Sequence, residues 1–123
     1  MMATATALNT FFNGFSLPAY PVNTVPDSVD VPYITFYISQ PDWLDKSSGY
    51  AQVWYRTKSN TVVYSKADEI VQAIGYGKIL ELPDSKGYVV IYPESPKVQL
   101  LIDGDTRAAV INFTINSYSM PGV

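Results

Sequence analysis

The chain contains no cysteine and no histidine. Those two absences exclude a disulfide framework, a Ser-His-Asp or Cys-His catalytic centre and an ordinary zinc site, because each needs a thiolate or an imidazole. Missing cysteine suits any redox compartment and so assigns the protein to none. Charge is scarce too: 15% of the 123 residues are charged, with 8 Lys plus Arg against 11 Asp plus Glu and a net charge of -3. A sequence-independent grip on phosphate needs clustered cations, and here the eight are scattered, so no nucleic-acid binding is expected. No run approaches the roughly 18 apolar residues of a membrane-spanning helix, so no membrane partner is expected either. Met1 to Leu8 lack the cationic start of a signal peptide, and Phe11-Phe12-Asn13-Gly14 breaks the run before a long apolar core develops.

What is present suffices for folding. The composition is 47% hydrophobic, enough apolar surface to offset the entropy of ordering the chain. A mass of 13.6 kDa fits one domain of roughly 100–150 residues and leaves no room for a second. We expect a single domain over 1–123, with a helix and proline-rich strap over 1–32 and a sheet with a central helix over 33–118. Every charged side chain lies between Asp27 and Arg107. Loose tails ordinarily carry charge, so the uncharged N-terminal segment with Leu8, Phe11, Phe12 and Phe15 is expected to pack, either on its own core or on another subunit.

Periodicity assigns the elements. Leu8, Phe11, Phe12 and Phe15 fall at i, i+3, i+4 and i+7, one helical face, with Thr4 or Thr6 as N-cap and Gly14 near the stop. Residues 16–32 hold Pro18, Pro21, Pro26 and Pro32, which remove donors and predict an irregular surface strap. Tyr33 to Ser39 alternates Ile34, Phe36 and Ile38 against Tyr33, Thr35 and Tyr37, predicting a strand with both faces covered. Pro41 to Gly49 reads as a polar loop, and Tyr50 to Thr57 as a second strand forming a hairpin with the first. Val63, Ala67, Ile70, Val71 and Ile74 mark a second helix, capped by Ser59, Asn60 or Ser65 and stopped by Gly75 or Gly77. The remainder reads as strand: Ile79 to Leu82, a turn over 83–87, Tyr88 to Tyr92, a break from Pro93 to Pro96, Lys97 to Ile102, and Thr106 to Tyr118. The expected class is α+β, a mixed, mainly antiparallel β-sheet with two helices packed on one face.

The candidate chemical sites have simpler explanations. Asp103-Gly104-Asp105 opens like a calcium loop, but the later ligand positions fall on Arg107, Ala109, Ile111 and Thr114, none a carboxylate; Asp-Gly between two alternating runs predicts a hairpin turn instead. The pairs Asp42/Asp45 and Asp68/Glu69 read as solvated acids. Gly75-Tyr76-Gly77-Lys78 follows a helix, whereas phosphate cradling needs glycines before one. No catalytic residue, cofactor or metal is expected, and the protein is read as no enzyme. Ten Tyr and two Trp are the positive oddity, since such side chains give large contact area at low entropic cost. The candidate interface comprises Leu8, Phe11, Phe12, Phe15, Tyr20, Trp43, Tyr50 and Trp54.

The run Leu17-Pro18-Ala19-Tyr20-Pro21-Val22-Asn23-Thr24-Val25-Pro26-Asp27, then Val31-Pro32-Tyr33-Ile34-Thr35-Phe36, resembles small tail-completion proteins of long-tailed bacteriophages. The resemblance continues through Asp42-Trp43, the strand Tyr50-Ala51-Gln52-Val53-Trp54-Tyr55, and the helix ending Ala67-Asp68-Glu69-Ile70-Val71-Gln72-Ala73-Ile74-Gly75. It spans about residues 8 to 117 and implies a tail-terminator-like virion protein that forms a hexameric ring, caps the tail tube and meets the head-tail connector. A neighbouring neck or connector protein fits the same resemblance. Its implied partners are further copies of itself, the tail tube protein and the connector; its implied place is the virion, after synthesis in the host cytoplasm. It assigns no individual functional residue. A reading from another class is a small carbohydrate-binding or adhesion module using exposed Trp and Tyr.

Overall fold

The computed structural model describes residues 2–39, 46–82 and 87–119. Helix α1 spans Met2–Phe12 and runs into a 3-10 turn, Asn13–Phe15. Strands β1 (Ala19–Pro21), β2 (Tyr33–Ser39) and β3 (Lys46–Arg56) precede helix α2 (Asn60–Ile74). Strands β4 (Lys78–Glu81), β5 (Gly87–Asp103) and β6 (Thr106–Ser119) complete the chain. One six-stranded sheet has the order β1-β2-β3-β6-β5-β4, with β1-β2 parallel and every other pair antiparallel. The class is α+β, as the periodicity implies.

Strand alternation divides the sheet into two faces. Ile34 and Phe36 of β2, Ala51 and Val53 of β3, Ile111, Phe113 and Ile115 of β6, and Val89 and Ile91 of β5 all join one buried cluster with Leu8 and Phe12 of α1 and Val63, Ala67, Ile70 and Ile74 of α2. Both helices therefore cover this face. The Phe12 ring stacks on Phe36 at 5.5 Å between centroids and lies 5.9 Å from Phe113. Such ring pairs contribute beyond the area they bury. α1 touches both edge strands, β1 and β4, so the sheet curls around it.

Local chemistry fixes the helix ends. Ser59 accepts the Thr61 N–H at α2's start, and Gly75, at φ 59°, closes its end with its N–H on the Val71 carbonyl. After α1 the left-handed residue is Ser16, at φ 66°, while Gly14 lies inside the 3-10 turn. Lys66 of α2 donates to the Phe15 carbonyl at 2.9 Å and pairs with Glu69 at 2.8 Å. That places a cation where the first helical segment ends, the favourable end for positive charge.

The structure corrects three boundaries and one expected covering. The strap is not wholly irregular: Ala19–Pro21 forms β1, because Ile34 N–H donates to the Pro18 carbonyl and Val22 N–H to the Phe36 carbonyl. Residues 18 and 22 thus face β2 and Pro21 faces outward, where a missing N–H costs nothing. Lys46 to Gly49 belongs to β3 rather than a loop, since β6 pairs with it in continuous register from Lys46 to Arg56. A Cβ at Gly49 would collide with the Tyr37 carbonyl oxygen and sit 2.9 Å from Phe113 Cε2, so this strand glycine permits a close approach. The break at Pro93 to Pro96 is a register shift within one strand, β5, and not a gap between two. The face of β2 away from the helices is not fully covered, for Tyr37 is exposed. The expected turn at 83–87 lies outside the described residues except for Gly87.

Candidate interaction surfaces

The eight expected interface residues separate by position. Leu8 and Phe12 are fully buried and Phe15 is 8% exposed, all within the protomer's own core. For these three the open alternative falls to the core: their side chains close the protomer. Phe11 is half-buried, with its ring edge-on to Phe12 at 5.1 Å and to Phe15 at 5.2 Å. Trp43, with Asp42 and Asp45, lies outside the described residues.

Tyr20, Tyr50 and Trp54 lie on the face that the helices leave open. Tyr20 is half-buried against Tyr33, 6.4 Å away and nearly perpendicular. Tyr50 pairs with Tyr37 at 5.3 Å across the β2-β3 ladder. Trp54 Nε1–H donates to Thr35 Oγ1 at 3.1 Å, and Thr35 is hydrogen-bonded to Gln52 Oε1 at 3.2 Å. Thr35 is itself buried, so this small chain satisfies a polar group that would otherwise be costly. Trp54 is therefore half anchored rather than a free stacking platform.

After β1 the strap crosses onto this face, where Val22 and Val25 wall a hollow floored by Thr35, Gln52 and Trp54. Arg56 ties the strap down through two bonds to Asp30, Nη1 to Oδ2 at 2.9 Å and Nη2 to Oδ1 at 3.1 Å. Both side chains are more than half exposed. Hydrogen bonding to Arg56, then to the Val31 N–H, holds the Asp30 carboxyl below its ordinary value, and the same pairing raises Arg56.

A second hollow, about 280 Å³, opens where the β5 bulge folds over the sheet, with Tyr37, Tyr50, Gln99, Asn112 and Glu94 in its lining. Thr114 Oγ1 donates to Glu94 Oε2 at 2.6 Å, and Asn112 Nδ2 donates to the Pro96 carbonyl at 2.8 Å, fixing the bulge over β6. Sequence reasoning missed this hollow because pairing two strands through a bulge is a register property. It also missed the exposed apolar side chains of Ile79, Leu101 and Ile102, although their place beside turn residues was a readable signal.

The Asp103-Gly104-Asp105 segment makes a hairpin, with Asp103 opposite Thr106 and a two-residue loop, Gly104–Asp105. Gly104 sits at φ 60° and Asp105 does not share that sign, the glycine-first pattern of a type II′ turn. Among the described residues no group of three or more acidic side chains could hold a metal, and no helix is long and apolar enough to cross a membrane.

Neither a protein-family profile nor a curated protein matches the sequence. Ten solved chains match, and one of them superposes with a TM-score of 0.61 at 14% identity, over 98% of this chain and 94% of that one. At that identity the likeness establishes a shared fold and no more.

Proposed function

We propose that this chain is a structural virion protein that closes the end of a phage tail tube as a ring and joins it to the head-side connector. The observation carrying the proposal is the proline-punctuated run from Leu17 to Phe36 and the element order after it, which resemble tail-completion proteins over nearly the whole chain. The surface is compatible with assembly: one sheet face is left open by the helices and carries aromatic and amide side chains with few charges. Interfaces are depleted in charged residues and enriched in tyrosine and tryptophan at their cores. A ring cap stops a polymer because it offers the tube one complementary surface and no copy of that surface on its far side. Deleting the gene from a phage genome that carries it should leave headless tails with overlong tubes under electron microscopy. Normal tails on normal heads would overturn the proposal.

The second reading, a carbohydrate-binding module, is favoured by one observation, the 280 Å³ hollow with the Tyr37/Tyr50 pair beside Gln99 and Asn112. It predicts a monomer whose Tyr37 and Tyr50 ring resonances move on glycan titration. The assembly reading predicts self-association and no such shifts.

A further inference from the structure

The edges of the sheet are closed unequally. At one end β1 turns the backbone of Ala19 and Pro21 outward. Asn13 accepts the Ala19 N–H and donates to the Ala19 carbonyl, and Pro21 has no N–H to offer, so this edge is shut. At the other end β4 is short and covers β5 only from Tyr88 to Ile91. Beyond the bulge, β5 from Val98 to Asp103 pairs with β6 on one side and, among the described residues, with no strand on the other. This open edge also lacks the features that blunt such edges. From Val98 to Ile102 it holds no proline, no charge and no register shift.

Its unpaired backbone groups are spaced for a partner strand. The Gly104–Asp105 turn closes with the Asp103 carbonyl facing the Thr106 N–H, so Asp103, Leu101 and Gln99 turn their backbone groups to β6. Val98, Leu100 and Ile102 then turn theirs to the free edge. The same parity follows through β2, β3 and β6 from the bonds that Ile34 and Phe36 make to the β1 side. On the helix-covered face Val98, Leu100 and Ile102 oppose Ile111, Ala109 and Arg107, while Gln99, Leu101 and Asp103 lie on the open face. Regular alternation puts Lys97 on that open face as well. Ile102 is 61% and Leu101 45% exposed, so the edge is apolar on both of its faces.

The segment is complementary to itself. Lys97 and Asp103 stand equally far from Leu100 on either side, and every residue between them is uncharged. Neither has an ion-pair partner within the protomer among the described residues. We infer that two copies of this chain pair antiparallel along this edge, about a two-fold axis at Leu100, and so join their sheets. Lys97 then faces the partner's Asp103 at both ends, Val98 faces the partner's Ile102, and Gln99 the partner's Leu101. Val98, Leu100 and Ile102 all find counterparts for their outward N–H and C=O groups, about six hydrogen bonds in all. The two charge pairs fall at the non-hydrogen-bonded positions, where opposed side chains lie closest. Sliding the register by two residues sets Lys97 against Leu101 or Asp103 against Gln99 and forfeits both charge pairs. The β1 edge cannot serve as partner, since Asn13 and Pro21 close it. An isologous pair uses up both edges and stops at two, so this contact goes beyond the ring of the assembly reading and does not depend on it.

Charge reversal tests the register. Lys97 and Asp103 are exposed, so Lys97→Asp and Asp103→Lys should each keep the circular dichroism spectrum of the unaltered chain. Sedimentation velocity should show the unaltered chain as a dimer. Each variant turns two attractions into two repulsions and should raise the dimer Kd about tenfold or more. An equimolar mixture of the two should form a heterodimer, because the acidic ends of one edge meet the basic ends of the other. Ile102→Pro removes an N–H from the free edge and none from the β6 ladder, and should be a folded monomer. Should a charge variant unfold, cysteine pairing replaces it, since the chain has no cysteine of its own. Gln99→Cys mixed with Leu101→Cys should oxidise to a cross-linked dimer, the opposed Cα atoms being about 4.5 Å apart, and neither variant alone should. An unaltered chain that stays monomeric at every concentration, charge variants that dimerise unchanged, a mixture that stays monomeric, or no cross-link would each overturn the inference. Overlong tails on gene deletion with a monomeric chain would defeat only this pairing; a charge-restored heterodimer with normal tails on deletion would defeat only the ring reading.

Discussion

Replacing Phe12 by alanine removes a ring that is fully buried between α1 and the sheet, stacked on Phe36 and beside Phe113. Aromatic-to-alanine changes in cores cost about 3–5 kcal/mol through lost transfer energy and the cavity left behind. The upper part of that range is expected, because three ring neighbours flank the site and none can collapse into it without moving a strand or the helix. A domain of this length has about 6–18 kcal/mol of stability, so Phe12→Ala should remain folded in water. With a urea slope of about 2 kcal/mol per molar, the midpoint should fall by about 2 M. Urea titration followed by far-ultraviolet circular dichroism measures this, with Phe11→Ala as the comparison. Phe11 is only half-buried and should cost less than about 2 kcal/mol. Because Phe12 belongs to the protomer's core, its loss must not depend on protein concentration. A cost below about 1 kcal/mol, or one seen only where the chain self-associates, would refute the placement of α1.

Ile70→Ala, on the buried face of α2, should cost about 2–5 kcal/mol in the same titration, and a near-zero loss would mean that face is exposed. Asn13 bridges β1 by accepting the Ala19 N–H at 3.0 Å and donating to the Ala19 carbonyl at 3.3 Å; Asn13→Ala leaves that nearly buried N–H unpaired and should lower stability by about 1–3 kcal/mol in a thermal melt. Asp30 has a lowered folded-state pKa, so its contribution is present above the ordinary carboxylate value and lost as pH falls through the lowered one. The stability gap between the unaltered chain and Asp30→Asn should thus be largest near neutrality, shrink below about pH 4 and weaken with salt. A gap that grows on acidification contradicts the pairing. Gly104→Ala puts a Cβ at φ 60° and should cost about 1–2 kcal/mol, while calcium should leave the melting temperature of the unaltered chain unchanged.

The sequence by itself determined what periodicity and turn chemistry can encode. The stripe Val63, Ala67, Ile70, Val71 and Ile74 locates α2, because cap, face and stop are local; among the caps and stops it leaves open, the structure uses Ser59 and Gly75, and Val71 is only partly buried. The same holds for β2, whose alternation bounds it at Tyr33 and Ser39, and for the Gly104 turn. Tertiary structure decided everything that depends on which strand lies beside which. A three-residue stretch that follows one proline and ends on another becomes β1 only because β2 offers donors and acceptors at matching height, and Lys46 to Gly49 extends β3 only because β6 continues past it. The N-terminal stripe shows the same divide at the level of interfaces. Its spacing required that Leu8, Phe12 and Phe15 be covered, but a hydrophobic stripe is indifferent to what covers it. The choice between its own sheet and another subunit was made by the curl that brings Phe36 and Phe113 against Phe12. Leu101 and Ile102 are the converse: local alternation marks them as ordinary strand residues, and only the length of β5 beyond β4 leaves them standing outside the core.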